Sequence, residues 1–431
     1  MRILHKLPIK SDFFKNVLKL SSSSAFASVL TALALPVITR LFTKQDIGDF
    51  QLLYSIILLF GLLGPLKYEM AILLPKELED RYHMVIVSFL VLGTFSLLLL
   101  VVFLFFGPEI LRYLEAERLA GYEAWLVLGI FLTGMLQVVR YILILHKKFG
   151  DLARNRIYQM GVQHGVSIGW GWFSPSFLGL FAGYIVGVAV PVYLVLRRRL
   201  FHFRGFTWEK AKQLLYEYRK FPTFNTAAVF LNNFSLQLPV FMFAKFYDET
   251  IVAMYAIANQ ALVMPTITLI GTAVQQVYYQ AASEAFQEHP RKLMGIYRQT
   301  LKKLSLVGLV PIGGVILLAP LLAGLIFGKE WSEAGVYMQI LSLGIYFRLI
   351  NSPIASALSI INRQEAGLVL IILSLALRFG AMYVFSDTPE QMLWALSIST
   401  ALFYGFYNYS VYYYIRSAIR AHERGEGDER N

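Results

Sequence analysis

Long apolar runs, each near the length needed to cross a bilayer, alternate with short polar stretches along the whole chain. A helix needs roughly 20 mostly apolar residues to span the hydrocarbon. Twelve segments meet that length: 18–40, 50–73, 83–106, 122–146, 155–174 and 176–198, then 221–245, 250–281, 301–327, 335–359, 365–386 and 390–416. The fifth is polar around Gln163 and His164, and the eighth is long and broken by Pro265. The expected fold is all-α, a polytopic membrane protein of about twelve transmembrane helices. An even count puts both termini on one side.

One interruption is longer than the rest. Between Arg197 and Lys220, Trp208, Ala211, Leu215 and Tyr218 recur at helical spacing, with Glu209, Lys210, Lys212 and Arg219 elsewhere. That pattern predicts an amphipathic helix lying on the membrane surface and joining two halves. The organisation is then a lobe at 1–198, a linker at 199–220, a second lobe at 221–416 and a tail at 417–431. The halves also resemble each other. Leu35-Pro36-Val37 is matched 203 positions later by Leu238-Pro239-Val240, and Phe42 and Phe50 are matched by Phe246 and Tyr255. Six spans separate the copies, so both enter from the same side. This is a parallel repeat, two six-helix lobes around a central cavity.

Composition agrees with a bilayer as solvent. The 431 residues are 57% hydrophobic and 15% charged, against about a quarter charged in soluble domains. The formal charge of +12 raises the question of nucleic acid, and its distribution answers it. With the N-terminus in the cytoplasm, 29 Lys and Arg fall on the inner side, 6 on the outer side and 4 within spans. That is the positive-inside bias of a cytoplasmic-membrane protein, so nucleic acid is not a partner. Met1–Lys19 is basic with no short apolar stretch and cleavage site, and reads as a lead-in to the first span. The absence of cysteine excludes disulfides, zinc–cysteine sites and thiol chemistry. The segment GLIFGKE at 324–330 lacks the spacing and hydroxyl of a P-loop, and His422-Glu423 has no second histidine for a zinc site. No cofactor or metal is expected.

An ionisable residue within a span costs roughly 2.5–3.5 kcal/mol at a helix centre, so those present are candidates for function. Lys67 and Arg140 lie six residues from the inner ends of their spans, within snorkelling reach. Arg348 and Arg378 lie near the middles of theirs, and should face a wet cavity or a buried acid. Glu69 is the main acid within a span and the candidate for ion coupling; helical spacing argues against its pairing with Lys67, because i and i+2 point apart. Asn225, Asn232, Asn233 and Gln237 on the seventh span, with Asn259 and Gln260 on the eighth, suggest a polar cavity wall. Ser21–Ser24, Ser28 and Thr31 on the first span read as helix-packing hydroxyls.

Four stretches carry a family likeness: RLFTKQDIGDFQLLYSI at 40–56, KYEMAILLPK at 67–76, the run YRKFPTFN to NQALVMP at 218–265, and IFGKEWSEAG to SIINRQ at 326–364. Together they resemble the oligosaccharide repeat-unit flippases, O-antigen-type polysaccharide transporters. The resemblance implies the multidrug/oligosaccharidyl-lipid/polysaccharide exporter fold and a cargo of short glycan on undecaprenyl diphosphate, moved from inner to outer leaflet by alternating access. It implies lipid-linked oligosaccharide and membrane lipid as partners, with a polysaccharide polymerase and a chain-length regulator beside them. The arginines would bind the diphosphate and the amides the sugar hydroxyls. Family members wall the cavity with the first two helices of each lobe, which would place Lys67 and Glu69 there but leaves Arg348 and Arg378 on later helices. Two other readings stay open. One is a small-molecule exporter of the same superfamily. The other is a membrane glycan polymerase or ligase, which would need catalytic residues in the outer cluster of Glu109, Arg112, Glu115, Glu117 and Arg118.

Overall fold

In a computed structural model of the chain, residues 12–114, 116–201, 205–361 and 363–424 are described. Most of the basic lead-in, Glu115, part of the linker and the end of the tail lie outside them. The helices are α1 (Asp12–Leu41), α2 (Lys44–Gly61), α3 (Tyr68–Ala71), α4 (Leu78–Tyr113), α5 (Glu123–Leu145), α6 (Phe149–Phe173), α7 (Phe177–Leu196) and α8 (Trp208–Glu217). They continue as α9 (Thr226–Phe246), α10 (Glu249–Val263), α11 (Thr272–Glu288), α12 (Pro290–Phe327), α13 (Ser332–Ile354), α14 (Ala357–Ile360), α15 (Gln364–Val384) and α16 (Pro389–Glu423). Every expected span falls mostly on helix, with turns inside 50–73 and at 355–356. Among the described residues, nine helical stretches are long and apolar enough to cross a membrane by length and composition. The other three expected spans fall on α2, which opens on Lys44, Asp46 and Asp49, on the polar α6, and on the tyrosine-rich α16. Leu104, Phe105 and Phe106 on α4 and Val310, Leu317 and Leu321 on α12 are more than half exposed. Apolar belts of that extent suit hydrocarbon rather than water.

The chain divides into two compact units, one ending at Gln237 and the other beginning at Leu238, inside α9. In the first, Thr43 starts α2 with a reciprocal cap. Its hydroxyl accepts from the Asp46 backbone N–H at 3.1 Å, and the Asp46 carboxylate accepts from the Thr43 backbone N–H at 3.3 Å. The other Asp46 oxygen accepts from the Phe177 backbone N–H at 3.0 Å, fixing the start of α7 to that of α2. The α6–α7 contact depends on small residues. A Cβ at Gly183 would fall 2.0 Å from Ser167 Oγ, and one at Gly187 would fall 2.6 Å from Gln163 Cβ. The four-residue spacing of these glycines puts both on one face and lets the two backbones close up.

One expected span is corrected. Residues 50–73 are not one helix: α2 stops at Gly61, and the chain turns through 62–67 before the single turn α3. Pro65 cannot donate to the ladder and crowds the preceding turn, and Leu66 and Lys67 take left-handed φ values of 48° and 62°. The linker helix α8 forms with Thr207 as its cap. Its buried face is Ala211 with Leu214, while Trp208 is exposed. The helix packs on α4, with Lys210 paired to Asp80 at 3.0 Å, and its Leu215 carbonyl accepts from the Tyr68 hydroxyl at 3.2 Å.

The second unit is organised around α13, which packs against α10, α12 and α16. Tyr297, Leu304, Ile350, Ile354, Phe403 and Val411 belong to its core. The break expected at Pro265 is present as a wide π-helical turn over Met264–Gly271, between α10 and α11. α10 begins at position 249, which is 205 on from the start of α2 at 44. That shift equals the one relating Phe50 to Tyr255 in the sequence repeat.

Candidate functional site

In the first unit, Arg140 on α5 reaches toward α6. One guanidinium nitrogen donates to Gln159 Oε1 at 3.4 Å and the other to Gln137 Oε1 at 3.5 Å. Arg156, seven residues into α6, donates to the same Gln159 oxygen at 3.3 Å. Two cations therefore converge on one buried, neutral amide oxygen, and no ion pair to either is found among the described residues. The site is lined by tyrosine. Tyr54 meets Tyr184 edge to face, with ring centroids 5.2 Å apart, and the Tyr184 hydroxyl lies 2.7 Å from Thr133 Oγ1. The sequence reading found Arg140 but counted Arg156, at the second position of the fifth span, with the adjoining loop; α6 begins at Phe149 and sets it two turns into the helix.

Lys67 and Glu69 form the ion pair that helical spacing argued against. Lys67 Nζ stands 3.3 Å from Glu69 Oε1, with both residues buried. The correction has a simple cause: Lys67 is not helical, and its left-handed backbone turns its side chain toward Glu69. Glu69 Oε2 is buried with no hydrogen-bond partner among the described residues. The coupling candidate is thus an ion-paired acid with one oxygen to spare.

In the second unit, Arg378 on α15 is only 6% exposed. Its guanidinium carbon stands 5.6 Å from the Tyr404 ring centroid and 5.9 Å from that of Phe403. Its Nε has no hydrogen-bond partner among the described residues. Of the two expected surroundings, a wet cavity or a buried acid, no acid pairs with it among the described residues, and aromatic faces stand beside it. Arg348 on α13 is half-buried, and both guanidiniums act electrostatically on Tyr255 and Tyr404.

The amides sort differently. Asn232 on α9 is exposed, and Asn225, Asn233 and Gln237 are half-buried in the first unit. Asn259 and Gln260 near the end of α10 are half-buried in the second. The sequence reading passed over a further amide pair, Asn351 Nδ2 donating to Asn408 Oδ1 at 2.9 Å, with the Tyr297 hydroxyl donating to the Asn408 carbonyl at 2.8 Å. In the outer cluster, Arg112 pairs with Glu117 at 3.4 Å on an exposed face, and Arg118 with Asp49 at 2.8 Å. Glu115 is outside the described residues. No group of three or more potential His or carboxylate metal ligands is gathered among the described residues.

The arrangement of helices has known counterparts. The chain superposes on the lipid II flippase MurJ in an inward closed conformation with a TM-score of 0.74, at 14% identity over 93% of this chain and 87% of that one. It superposes on an inward-facing multidrug resistance MATE family transporter with a TM-score of 0.62, at 15% identity over 94% of this chain and 95% of the other. A transporter of the same superfamily from Pyrococcus furiosus gives 0.63, at 15% identity over 94% and 96%. None of the curated proteins matches. The fold is that of the multidrug/oligosaccharidyl-lipid/polysaccharide superfamily of transporters, a two-lobe, multi-pass membrane architecture. Residues 37–336 match the sequence profile of the family described as "Polysaccharide biosynthesis protein", and the chain belongs to that family.

Proposed function

We propose that the chain is a flippase, not an enzyme: it carries an oligosaccharide linked to undecaprenyl diphosphate from the inner to the outer leaflet by alternating access, for polysaccharide assembly. The observation that carries this reading is a set of intramembrane arginines that no acid pairs among the described residues. Arg140, Arg348 and Arg378 have no ion pair among the described residues, and Arg378 keeps a buried donor without an acceptor. A diphosphate cannot cross hydrocarbon unaided, because each desolvated charge is costly. Guanidinium forks offer it paired, charge-assisted hydrogen bonds. The amides Asn225, Asn232, Asn233, Gln237, Asn259 and Gln260 suit the hydroxyls of the glycan. Lys67 adds charge near the break after α2, and Glu69, with its unused oxygen, is the coupling candidate.

Membership of a polysaccharide biosynthesis family and a fold shared with a lipid II flippase support this choice of cargo. An exporter of cationic drugs would need a free acid in its passage. The buried carboxylates among the described residues are Asp46, Asp49 and Glu69, and each is committed to a cap or an ion pair. The Lys and Arg bias supports residence in the cytoplasmic membrane with both termini inside. A polymerase and a chain-length regulator would act on the product outside.

Deleting the gene tests the reading. Undecaprenyl-linked repeat units should accumulate on the inner leaflet, and their arrival at the outer leaflet at the normal rate would remove the proposal. Arg348→Ala should cut export several-fold while membrane insertion stays at the wild-type level. Unchanged export would return Arg348 to a packing role.

A further inference from the structure

Counted along each run of six spans, equivalent helices carry the same four side-chain types. In the first unit they are Tyr54 on the second span (α2), Arg140 on the fourth (α5), Arg156 on the fifth (α6) and Tyr184 on the sixth (α7). In the second unit they are Tyr255 on the second (α10), Arg348 on the fourth (α13), Arg378 on the fifth (α15) and Tyr404 on the sixth (α16). In each unit the four are neighbours in space. Tyr54 and Tyr184 are in ring contact, and Tyr54 feels the charge of both Arg140 and Arg156. In the second unit Arg378 stands 5.6 Å from the Tyr404 ring centroid, and α13, which carries Arg348, packs against both α10 with Tyr255 and α16 with Tyr404. Chance is a poor account of this, because α5, α13 and α15 each carry a single basic residue, and in each helix it is the one at this place. The copies are not identical in depth: the repeat sets Tyr255 opposite Phe50, one turn before Tyr54. Arg378 lies fourteen residues into its helix and Arg156 seven into its own, a difference of about 10 Å along the axis.

Each quartet holds two positive charges and no carboxylate. Two guanidiniums side by side repel, and removing them from water is expensive unless something anionic joins them. Neutral groups hold that place: Gln159 Oε1 accepts from both arginines in the first unit, at 3.3 and 3.4 Å. In the second, the buried Arg378 is faced by Phe403 and Tyr404, with its Nε unspent. The first geometry is that of two forks sharing one oxygen, and the second presents a directional donor inside the bundle. Tetrahedral oxyanions satisfy both arrangements, with several oxygens for several N–H groups and tyrosine hydroxyls as neutral donors.

We propose that each unit has its own phosphate- or diphosphate-binding site, formed by the Tyr–Arg–Arg–Tyr quartet of its second, fourth, fifth and sixth spans, so that one chain binds two such groups. The inference rests on the flippase reading only for the choice of phosphate as the anion. The shared chemistry is a phosphate oxyanion, supplied either by a free phosphate or by a lipid headgroup.

Calorimetric titration of the purified full-length chain separates these sources. One arm uses inorganic pyrophosphate with the protein in uncharged detergent, and the other uses farnesyl diphosphate with the protein in nanodiscs of zwitterionic lipid. Binding of two equivalents in either arm is the expected result, and the arm that binds identifies the source. Arg140→Gln with Arg156→Gln should leave one equivalent, as should Arg348→Gln with Arg378→Gln, and all four together should leave none. The corresponding Arg→Lys pairs keep the charge and lose the fork, so they should keep two equivalents with at least tenfold weaker binding at the altered site. These pairs and gel filtration guard against reading misfolding as lost binding. One equivalent in the wild type, no binding in both arms, or a stoichiometry unmoved by the Gln pairs would overturn the inference. A chain that flips its cargo yet binds one anion sinks the duplicated site alone; a chain that binds two and flips nothing sinks only the flippase reading.

Discussion

Lys67 and Glu69 show how a single backbone angle decides an electrostatic question. On a helix the two would diverge; with Lys67 at φ 62° they meet at 3.3 Å in a buried place. Breaking a buried pair leaves its survivor uncompensated, at a cost of about 3–5 kcal/mol. Glu69→Gln should therefore lower stability by about 3 kcal/mol, read as a fall in the unfolding midpoint in detergent. Replacing both, as Lys67→Met with Glu69→Leu, should recover most of that loss. A double variant as unstable as the sum of the singles would mean the pair contributes through something other than charge. At the membrane edge Asp151 behaves differently. Partial burial opposes its ionisation, but hydrogen bonds and charge from Arg154 and Arg198 outweigh this and hold its carboxyl below the usual carboxylate range. A depressed folded-state value means the stabilisation is complete above the unfolded carboxylate value near 4 and fades as pH falls through the folded value. Both arginines are largely exposed, so the effect is small. Asp151→Asn should cost about 0.5 kcal/mol at pH 7, and the difference from wild type should vanish in strong acid.

At the scale of elements, the α6–α7 contact decides where the first quartet stands, because it brings Gln159 against Gly187, one turn from Tyr184. Gly183 has no room for a methyl group: its Cβ would lie 2.0 Å from Ser167 Oγ and 2.5 Å from the Gln163 carbonyl. Gly183→Ala should force the helices apart and cost about 1–3 kcal/mol as overpacking, with a drop in unfolding midpoint larger than that of Gly161→Ala, whose Cβ meets open space. Equal effects would refute the close approach. The long elements were legible in the sequence because hydrocarbon thickness sets their length and charge marks their ends. Pro265 was legible too, since its ring must disturb a ladder whatever surrounds it. The break at 62–67 was not, because Gly61, Gly64 and Pro65 are residues a membrane helix tolerates and the apolar run there has the right length. Arg140, Arg348 and Arg378 stood out by charge alone. Arg156 did not, because it sat at the very edge of the expected span at 155–174, where a basic residue reads as part of the loop, and the tyrosines of the quartets are indistinguishable by type from the rest of the chain's 25.

For the whole molecule, the distribution of lysine and arginine is the one long-range instruction that composition carries. Cationic side chains resist translocation, so loops rich in them stay where they are made. An N-terminus in the cytoplasm would put 29 inside and 6 outside, a proposal that orients every span at once and sets the linker with α8 in the most basic inner segment. The absence of native cysteine makes this directly measurable. Single cysteines can report sidedness at Gln213, exposed on α8, and at Ser174, exposed in the turn between α6 and α7. A membrane-impermeant maleimide should label Ser174→Cys in intact spheroplasts and Gln213→Cys only after permeabilisation. Seven Lys and Arg between Arg197 and Lys220 are described beside Gln213, and none lies between Phe173 and Phe177 beside Ser174. If both labels exchange sides, the chain is inverted and a cargo loaded from the cytoplasm would meet the wrong face. If both positions label from one side, α7, which lies between the reporters, does not cross, and the count of six spans before the linker fails with it.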